Sequence, residues 1–352
     1  MSYLQQKVEL DRDRWAILQP WVSTMLLDNP VFLSKNFPLQ AAELEGVLPW
    51  LAFELHDAGL LDQLGDQQKE VRKVLAHCAV AHLYCEWELA RLALLADDLG
   101  VDFLAIKGHA VARTLYKHTA CRPTSDFDIL IAPKQIKPAA VWLTSAGYKP
   151  YGSYYGIHWL ASQVWVPSKQ RQIPVTVDLH WDVSNRMYFR HRFDIDELVC
   201  NARRVQVGKA SIRVPNLFDD TIIACVHLAA MDPGMPVGMR WMLDIRLLMA
   251  SIPHSQVDEF VTRAAELRTV EACLVFGEAA AGLDESEALV PVLDGLRAVA
   301  ASKLMAKYDR TLRSRAYDLW DYWWRLKGRK KLGFYGDLMR KLSARSNPPN
   351  TS

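Results

Sequence analysis

No two of the six cysteines, Cys78, Cys85, Cys121, Cys200, Cys225 and Cys273, stand in a C-x-x-C pair. Zinc-ligand spacing is therefore absent, and a chain of 352 residues can bury a core without a disulfide framework. Excess charge is missing too. The 42 Lys and Arg against 40 Asp and Glu leave only +2, which gives no electrostatic reason for strong non-specific binding to nucleic acid. No apolar run reaches the roughly 18 residues that span a bilayer. The best stretch, Leu89–Leu99, is broken by Arg91, Asp97 and Asp98. Met1–Arg14 is polar and charged and shows no secretory signal, so a cytoplasmic protein with reduced thiols is expected. There is no P-loop, no G-x-G-x-x-G and no H-E-x-x-H motif.

What is present falls into three parts. Residues 1–100 read as a helical region, with apolar residues at helical spacing over Asp11–Leu27 and Leu39–His56. Pro20 and Pro49 are positions where these segments are expected to kink or split. A longer helix is predicted from an N-cap at Asp66 to Leu99, with Gly100 as its stop. The period then changes. Val101–Ile106 and Asp126–Ala132 read as buried strands, Gly108–Tyr116 as a short helix, and Pro133–Ala146 as a helix closed by Gly147. Tyr154–Val166 and Ile173–Trp181 are expected to form a hairpin, and Arg204–Val207 with Ser211–Val214 a smaller one turning at Gly208–Lys209. Residues 101–215 thus form an α+β unit. Residues 216–345 read as helices over Phe218–Met231, Met239–Ser251, His254–Ala281, Glu285–Tyr308 and Ser314–Lys327, and 346–352 as a disordered tail.

The chemistry centres on Asp126-Phe127-Asp128. In a strand alternate side chains share a face, so the two carboxylates project together, about 6–7 Å apart, while Phe127 and Ile129 point the other way. Two carboxylates on one face repel and lose solvation unless a cation lies between them. Mg²⁺ takes such oxygen ligands together with substrate phosphates, and a carboxylate pair shared by two metals suits in-line displacement at phosphorus. A third carboxylate, Asp178, lies in the apolar run Val177-Asp178-Leu179-His180-Trp181, and His180 shares its face. If the two strands are neighbours, three carboxylates gather beside an imidazole. Lys107-Gly108 closes one strand and opens a helix, where a lysine meets phosphate as a point charge and glycine lets backbone N–H groups approach it. Arg122 lies on the loop before Asp126 and is the second candidate for steadying a triphosphate.

Taken together, Ile106-Lys107-Gly108, Leu115-Tyr116, Arg122, Asp126-Phe127-Asp128-Ile129-Leu130-Ile131, Gly147-Tyr148 and the intact Val177–Trp181 block resemble the uncharacterised nucleotidyltransferase family of the DNA polymerase beta-like superfamily. The stretch Pro215–Leu248, with His227 and Arg240-Trp241-Met242-Leu243-Asp244, resembles its helical continuation, and the likeness spans roughly residues 40–250. The resemblance implies a small mixed sheet flanked by helices. It also implies Mg²⁺ or Mn²⁺ as metal, an NTP such as ATP as co-substrate, and metal-ligand roles for Asp126, Asp128 and Asp178. Where the wider superfamily opens its helix with Gly-Ser or Gly-Gly, this chain has Lys107-Gly108-His109.

The expected reaction moves an NMP from an NTP to an unidentified acceptor, with Lys107, Gly108, Arg122 and His180 handling the nucleotide and pyrophosphate leaving. Neutral charge points to a small acceptor. A tRNA or protein acceptor would need the basic aromatic stretch Trp320, Trp323, Trp324, Lys327, Arg329, Lys330 and Lys331. A non-catalytic nucleotide- or partner-binding module on the same fold is the third reading. His77 and His82, five apart, face different sides of a helix, and His227 in its apolar helix reads as a core histidine.

Overall fold

The computed structural model describes residues 12–27, 37–152, 161–171, 173–231, 237–284 and 287–300. The Trp320–Lys331 stretch, the helix expected over Ser314–Lys327 and the tail lie outside them, as do residues 154–160 of the first expected hairpin strand and residues 285–286 and 301–308 of the helix expected over Glu285–Tyr308.

The described residues begin with α1 (Arg12–Leu26), which runs through Pro20. The segment expected as one helix over Leu39–His56 is two: α2 (Leu39–Leu44) and α3 (Leu48–Asp57). The break is made by Gly46, at φ +72°, and not by Pro49, which sits in the first turn of α3 where its missing N–H costs nothing. A 3₁₀ segment, Leu61–Gln67, precedes α4 (Gln68–Asp98), so Gln67 rather than Asp66 occupies the N-cap. Gly100, at φ +65°, ends the helix as its position predicts.

Only β1 (Leu104–Ala105) of the expected Val101–Ile106 strand enters the ladder. Then come α5 (Gly108–Leu115), β2 (Asp126–Leu130) and α6 (Ile136–Ser145). Gly147, at φ +84°, turns the chain directly into a strand that period reasoning missed, β3 (Tyr148–Pro150). The expected hairpin follows as β4 (Ser162–Pro167) and β5 (Thr176–His180), with Val164 opposite Asp178. A short helix, α7 (Ile195–Cys200), is capped by Asp194, whose carboxylate accepts from the Asp196 and Glu197 N–H groups. The second hairpin is β6 (Arg203–Val207) with β7 (Ala210–Val214), turning at Gly208.

The remaining α-helices among the described residues are α8 (Leu217–Ala230), α9 (Met239–Ala250), α10 (Val257–Glu266), α11 (Val270–Ala281) and α12 (Val290–Ala300). The single helix expected over His254–Ala281 is divided at Leu267–Thr269, where Arg268 adopts φ +53°.

The seven strands form one sheet in the order β3-β4-β5-β2-β1-β7-β6. β2 runs parallel to β5 and antiparallel to β1, so the sheet is mixed. Its two faces bury different cores. Phe127, Ile129, Val177 and Leu179 pack with Leu89 and Leu92 of α4 and Trp142 of α6. Leu104 and Leu130 face a larger core that unites Leu18, Leu51 and Leu55 of the first helices with Ile222, Met242, Phe260 and Phe276 of the last. Asp126 and Asp128 share the Leu130 face by strand alternation, so they look toward α8 and α9 across the sheet from α4.

Candidate active site

The decisive pairing is between β2 and β5. Asp128 lies opposite Asp178 and Leu130 opposite His180, in parallel register. Two sequence segments some fifty residues apart therefore place their polar side chains on one sheet face. Phe127 and Ile129 are 1% and 0% exposed on the other face, as alternation requires.

A cation joins the carboxylates. Lys107 Nζ donates to Asp128 Oδ1 at 2.7 Å. His180 Nε2 lies 3.0 Å from the same oxygen, 3.2 Å from Asp178 Oδ2 and 3.5 Å from Lys107 Nζ. Lys107 reaches this position with φ +56°, a backbone state uncommon outside glycine and concentrated at sites where position outweighs strain. Its carbonyl accepts from Val111 and opens α5. Gly108 follows for a steric reason: a Cβ there would collide with Thr124 Cγ2.

The electrostatics diverge across the cluster. Burial pushes the Asp128 carboxyl up, but Lys107 and His180 outweigh it and hold it well below the usual carboxylate range. Asp178 is lowered in the same way, its burial outweighed by His180. Asp126 goes the other way, raised by burial and then by Asp128 and Asp178. His180 is raised, because the two carboxylates outweigh its burial and the repulsion of Lys107. One oxygen of the cluster, Asp178 Oδ1, is buried without any hydrogen-bond partner, and so is His180 Nδ1.

These groups border a cavity of about 310 Å³. Lys107, Gly108, Arg122, Asp126, Asp128 and Asp178 all line it, so of the site residues that the sequence proposed only His180, which joins the cluster, does not border the cavity. His180 stands behind the carboxylates, its side chain 5% exposed, and its contacts are with them rather than with the cavity. Arg122 is 6% exposed and held by Asp244, with Nε to both carboxylate oxygens at 3.0 Å and Nη2 to Oδ2 at 2.8 Å. Tyr116 donates to the other side of Asp244 at 2.7 Å. Arg122 is therefore a fixed wall of the cavity more than a mobile clamp.

Three residues of the opposite wall, His227, Arg240 and Asp244, stood in the sequence only as part of the helical continuation and were given no site role. His227 of α8 lines the cavity beside Trp241, ring centres 6.3 Å apart, so the expectation of a core histidine is corrected. Burial and the nearby Lys107 push its pKa down to about 3, which keeps it neutral. Arg240 and Asp244 also face inward, one helical turn apart on α9. That i, i+4 spacing of opposite charges was the available signal. Without the fold it reads as a surface pair.

The family model described as an uncharacterised nucleotidyltransferase matches residues 37–281. The chain belongs to that family. No curated protein matches it. The matched span includes the whole seven-stranded sheet and every cavity residue named above, and the mixed sheet flanked by helices is consistent with a nucleotidyltransferase fold.

A divalent cation fits this family member's donor set. One atom each from Asp128, Asp178 and His180 lie within 4.8 Å of one another. Asp178 Oδ1 has no partner, and Asp126, raised by burial and then by Asp128 and Asp178, stands outside that group of three but on the same strand face as Asp128.

Proposed function

We propose that the protein is a metal-dependent nucleotidyltransferase that moves a nucleoside monophosphate from an NTP to a small acceptor and releases pyrophosphate. The observation that carries this reading is the in-register pairing of Asp128 with Asp178 at the edge of a cavity that also holds Lys107 and Gly108. A cluster of carboxylates with an unpartnered buried oxygen has no structural purpose that an apolar face would not serve better.

Asp126, Asp128 and Asp178 would hold Mg²⁺ or Mn²⁺. When bound, the metal would neutralise charge on the phosphates and steady the attacking acceptor oxygen. The other roles belong to the chain itself. Lys107 balances Asp128 and presents its ammonium to the triphosphate. Gly108 lets the backbone at the start of α5 approach a phosphate oxygen. His180 orients both carboxylates from behind, which suits it to positioning more than to nucleotide contact. Arg122, fixed by Asp244, contributes positive charge to the cavity wall. In the transfer an acceptor oxygen bonds to the α-phosphorus, and the bond to the β-phosphate oxygen breaks.

The small-acceptor reading is supported by the near-neutral charge of the whole chain. No helix among the described residues is long and apolar enough to cross a membrane. The cytoplasm fits six cysteines that are all free, five of them buried.

The test is pyrophosphate release from each NTP with Mg²⁺, with a cell extract supplying acceptors. Wild-type protein is expected to release pyrophosphate, and Asp128→Ala to lose at least about 10³-fold while its unfolding transition persists. Equal rates for the two proteins would sink the assignment.

A further inference from the structure

The cavity at the carboxylates adjoins a second one. The second, about 690 Å³, shares Thr124, Ser125 and Arg240 with the first and extends away between α2, α3, α4 and the entrance to β5. Its size falls within the range that holds small ligands, roughly 300–1,000 Å³. Its character differs from its neighbour's. Leu39, Leu48, Val74, Cys78, Ile173 and Val175 form its walls. Of its charged lining groups, Glu70 and Lys73 are paired with each other at 2.7 Å, and Glu43 is exposed at the mouth.

Arg240 stands at the junction. Lys107 is committed to Asp128 and Arg122 to Asp244, whereas no carboxylate hydrogen-bonds to the Arg240 guanidinium among the described residues. It instead lies over the Trp241 ring, 5.5 Å from its centre. Burial, then Arg122, lowers its pKa, so an anion brought alongside would be strongly favoured. Ser125, which lines both spaces, immediately precedes Asp126 in the chain.

We propose that the second cavity is the acceptor site, and that the acceptor is a small molecule with an apolar body and an oxyanion head, a carboxylate or a phosphate. This rests on the nucleotidyl-transfer reading above. The apolar body occupies the walls around Val74, and the head meets Arg240 next to the carboxylate cluster. The ionised head oxygen forms a bond to the α-phosphorus, the α-phosphorus to β-phosphate bridging bond breaks, and pyrophosphate departs with the electron pair. No proton has to be removed, because the head is already ionised. The exposed carboxylate of Glu43 in its lining, unpaired among the described residues, disfavours a polyanion such as RNA.

The experiment is calorimetric titration of the full chain with octanoate, octyl phosphate and octanol, in the absence of nucleotide. At least one oxyanion probe is expected to bind, and the tighter of the two tells carboxylate from phosphate. Val74→Trp should weaken that probe by about tenfold or more, while the affinity for a non-hydrolysable ATP analogue with Mg²⁺ stays as in wild type. Ala81→Phe, on the same wall, repeats the test should Val74→Trp not fold. Arg240→Ala should weaken the oxyanion probe by about tenfold and leave octanol unchanged. Failure of both oxyanion probes to bind, or wild-type affinity in both wall variants, overturns the proposal, as does displacement of the probe by total tRNA. Probe binding in a protein that does not bind the ATP analogue sinks the nucleotidyl-transfer reading, and the acceptor role with it.

Discussion

Two buried carboxylate networks lie on opposite faces of the same sheet, and they are built on opposite plans. On the α4 side Glu88 is fully buried and saturated. It accepts from Arg91 at 2.7 and 2.9 Å, from Arg171 at 2.6 Å and from the Tyr148 hydroxyl at 2.7 Å. Those hydrogen bonds offset a large burial penalty and leave its pKa lowered. On the other side Lys107 and His180 both meet Asp128, His180 also meets Asp178, and Asp178 Oδ1 goes without a partner beside a cavity. A network that serves the fold pairs every oxygen. One that serves a ligand keeps lone pairs open at a space the ligand can enter.

The strongest way to break that contrast is Asp178→Asn. Removing a charge from the open network should cost about 10³-fold in pyrophosphate release, because the metal loses a ligand, yet change stability by under about 1 kcal/mol. If denaturant unfolding shows Asp178→Asn losing stability and keeping activity, the two networks are of one kind.

Asp220 supplies a third case that sharpens the comparison. It is 0% exposed, neither carboxylate oxygen has a hydrogen-bond partner, and it does not line the cavity. Burial raises its pKa to about 7 despite the nearby Arg203. With no saturating partners and no ligand space, it is neutral below that pH. Its unfolded value is about 3.9, so its contribution to stability is complete below about pH 4 and is lost as the pH climbs to about 7. The loss is on the order of 4 kcal/mol. Denaturant melts at pH 4.5 and pH 8 should show this fall in wild type and a flatter profile in Asp220→Asn. Parallel profiles would mean that Asp220 is ionised and paired.

How much of this the sequence revealed depends on the range of the interaction. Alternation within Asp126–Leu130 and within Thr176–His180 is local, so the facing of each carboxylate was legible. Their convergence rested on a strand pairing that the sequence posed only as a condition, and the parallel register of β2 with β5 meets it. The hairpin of β6 and β7 was legible because Gly208 sits at its turn. Strand β3 was not, since three residues give no period to read. The helix breaks at Gly46 and Arg268 were missed because the apolar spacing continues across them. Arg240, His227 and Asp244 were seen in the helical continuation but given no role at the site, for another reason. Their helices are apolar on several sides, and only the docking of α8 and α9 over the carboxylates shows which side meets the cavity.

The reverse half of the contrast is Glu88→Gln. It leaves Arg91 and Arg171 around a neutral amide: the amide oxygen keeps the three donors at Oε1, and the NH2 faces Arg91 Nε, which loses the acceptor now at 2.9 Å. Breaking a buried pair from one side costs about 3 kcal/mol. The expected result is a lower denaturation midpoint with NTP affinity within about twofold of wild type, because α4 faces the other side of the sheet. A large loss of NTP affinity without loss of stability would show that the saturated network is coupled to the cavity.

Gly108→Ala tests the edge of the open network with the smallest expected effect. The added methyl meets Thr124 Cγ2, whose residue is held by a hydrogen bond to His109, and it comes within 3.5 Å of Arg122 Nη1. Thr124 must shift, and the backbone at the head of α5 moves away from where a phosphate would lie. The KM for NTP should rise by about tenfold with kcat changed less, since the lost contact is made in ground state and transition state alike. Thr124→Ser in the same chain removes the colliding methyl and should restore most of the affinity. If the double variant stays as weak as Gly108→Ala, the defect lies in the α5 backbone itself and not in the collision.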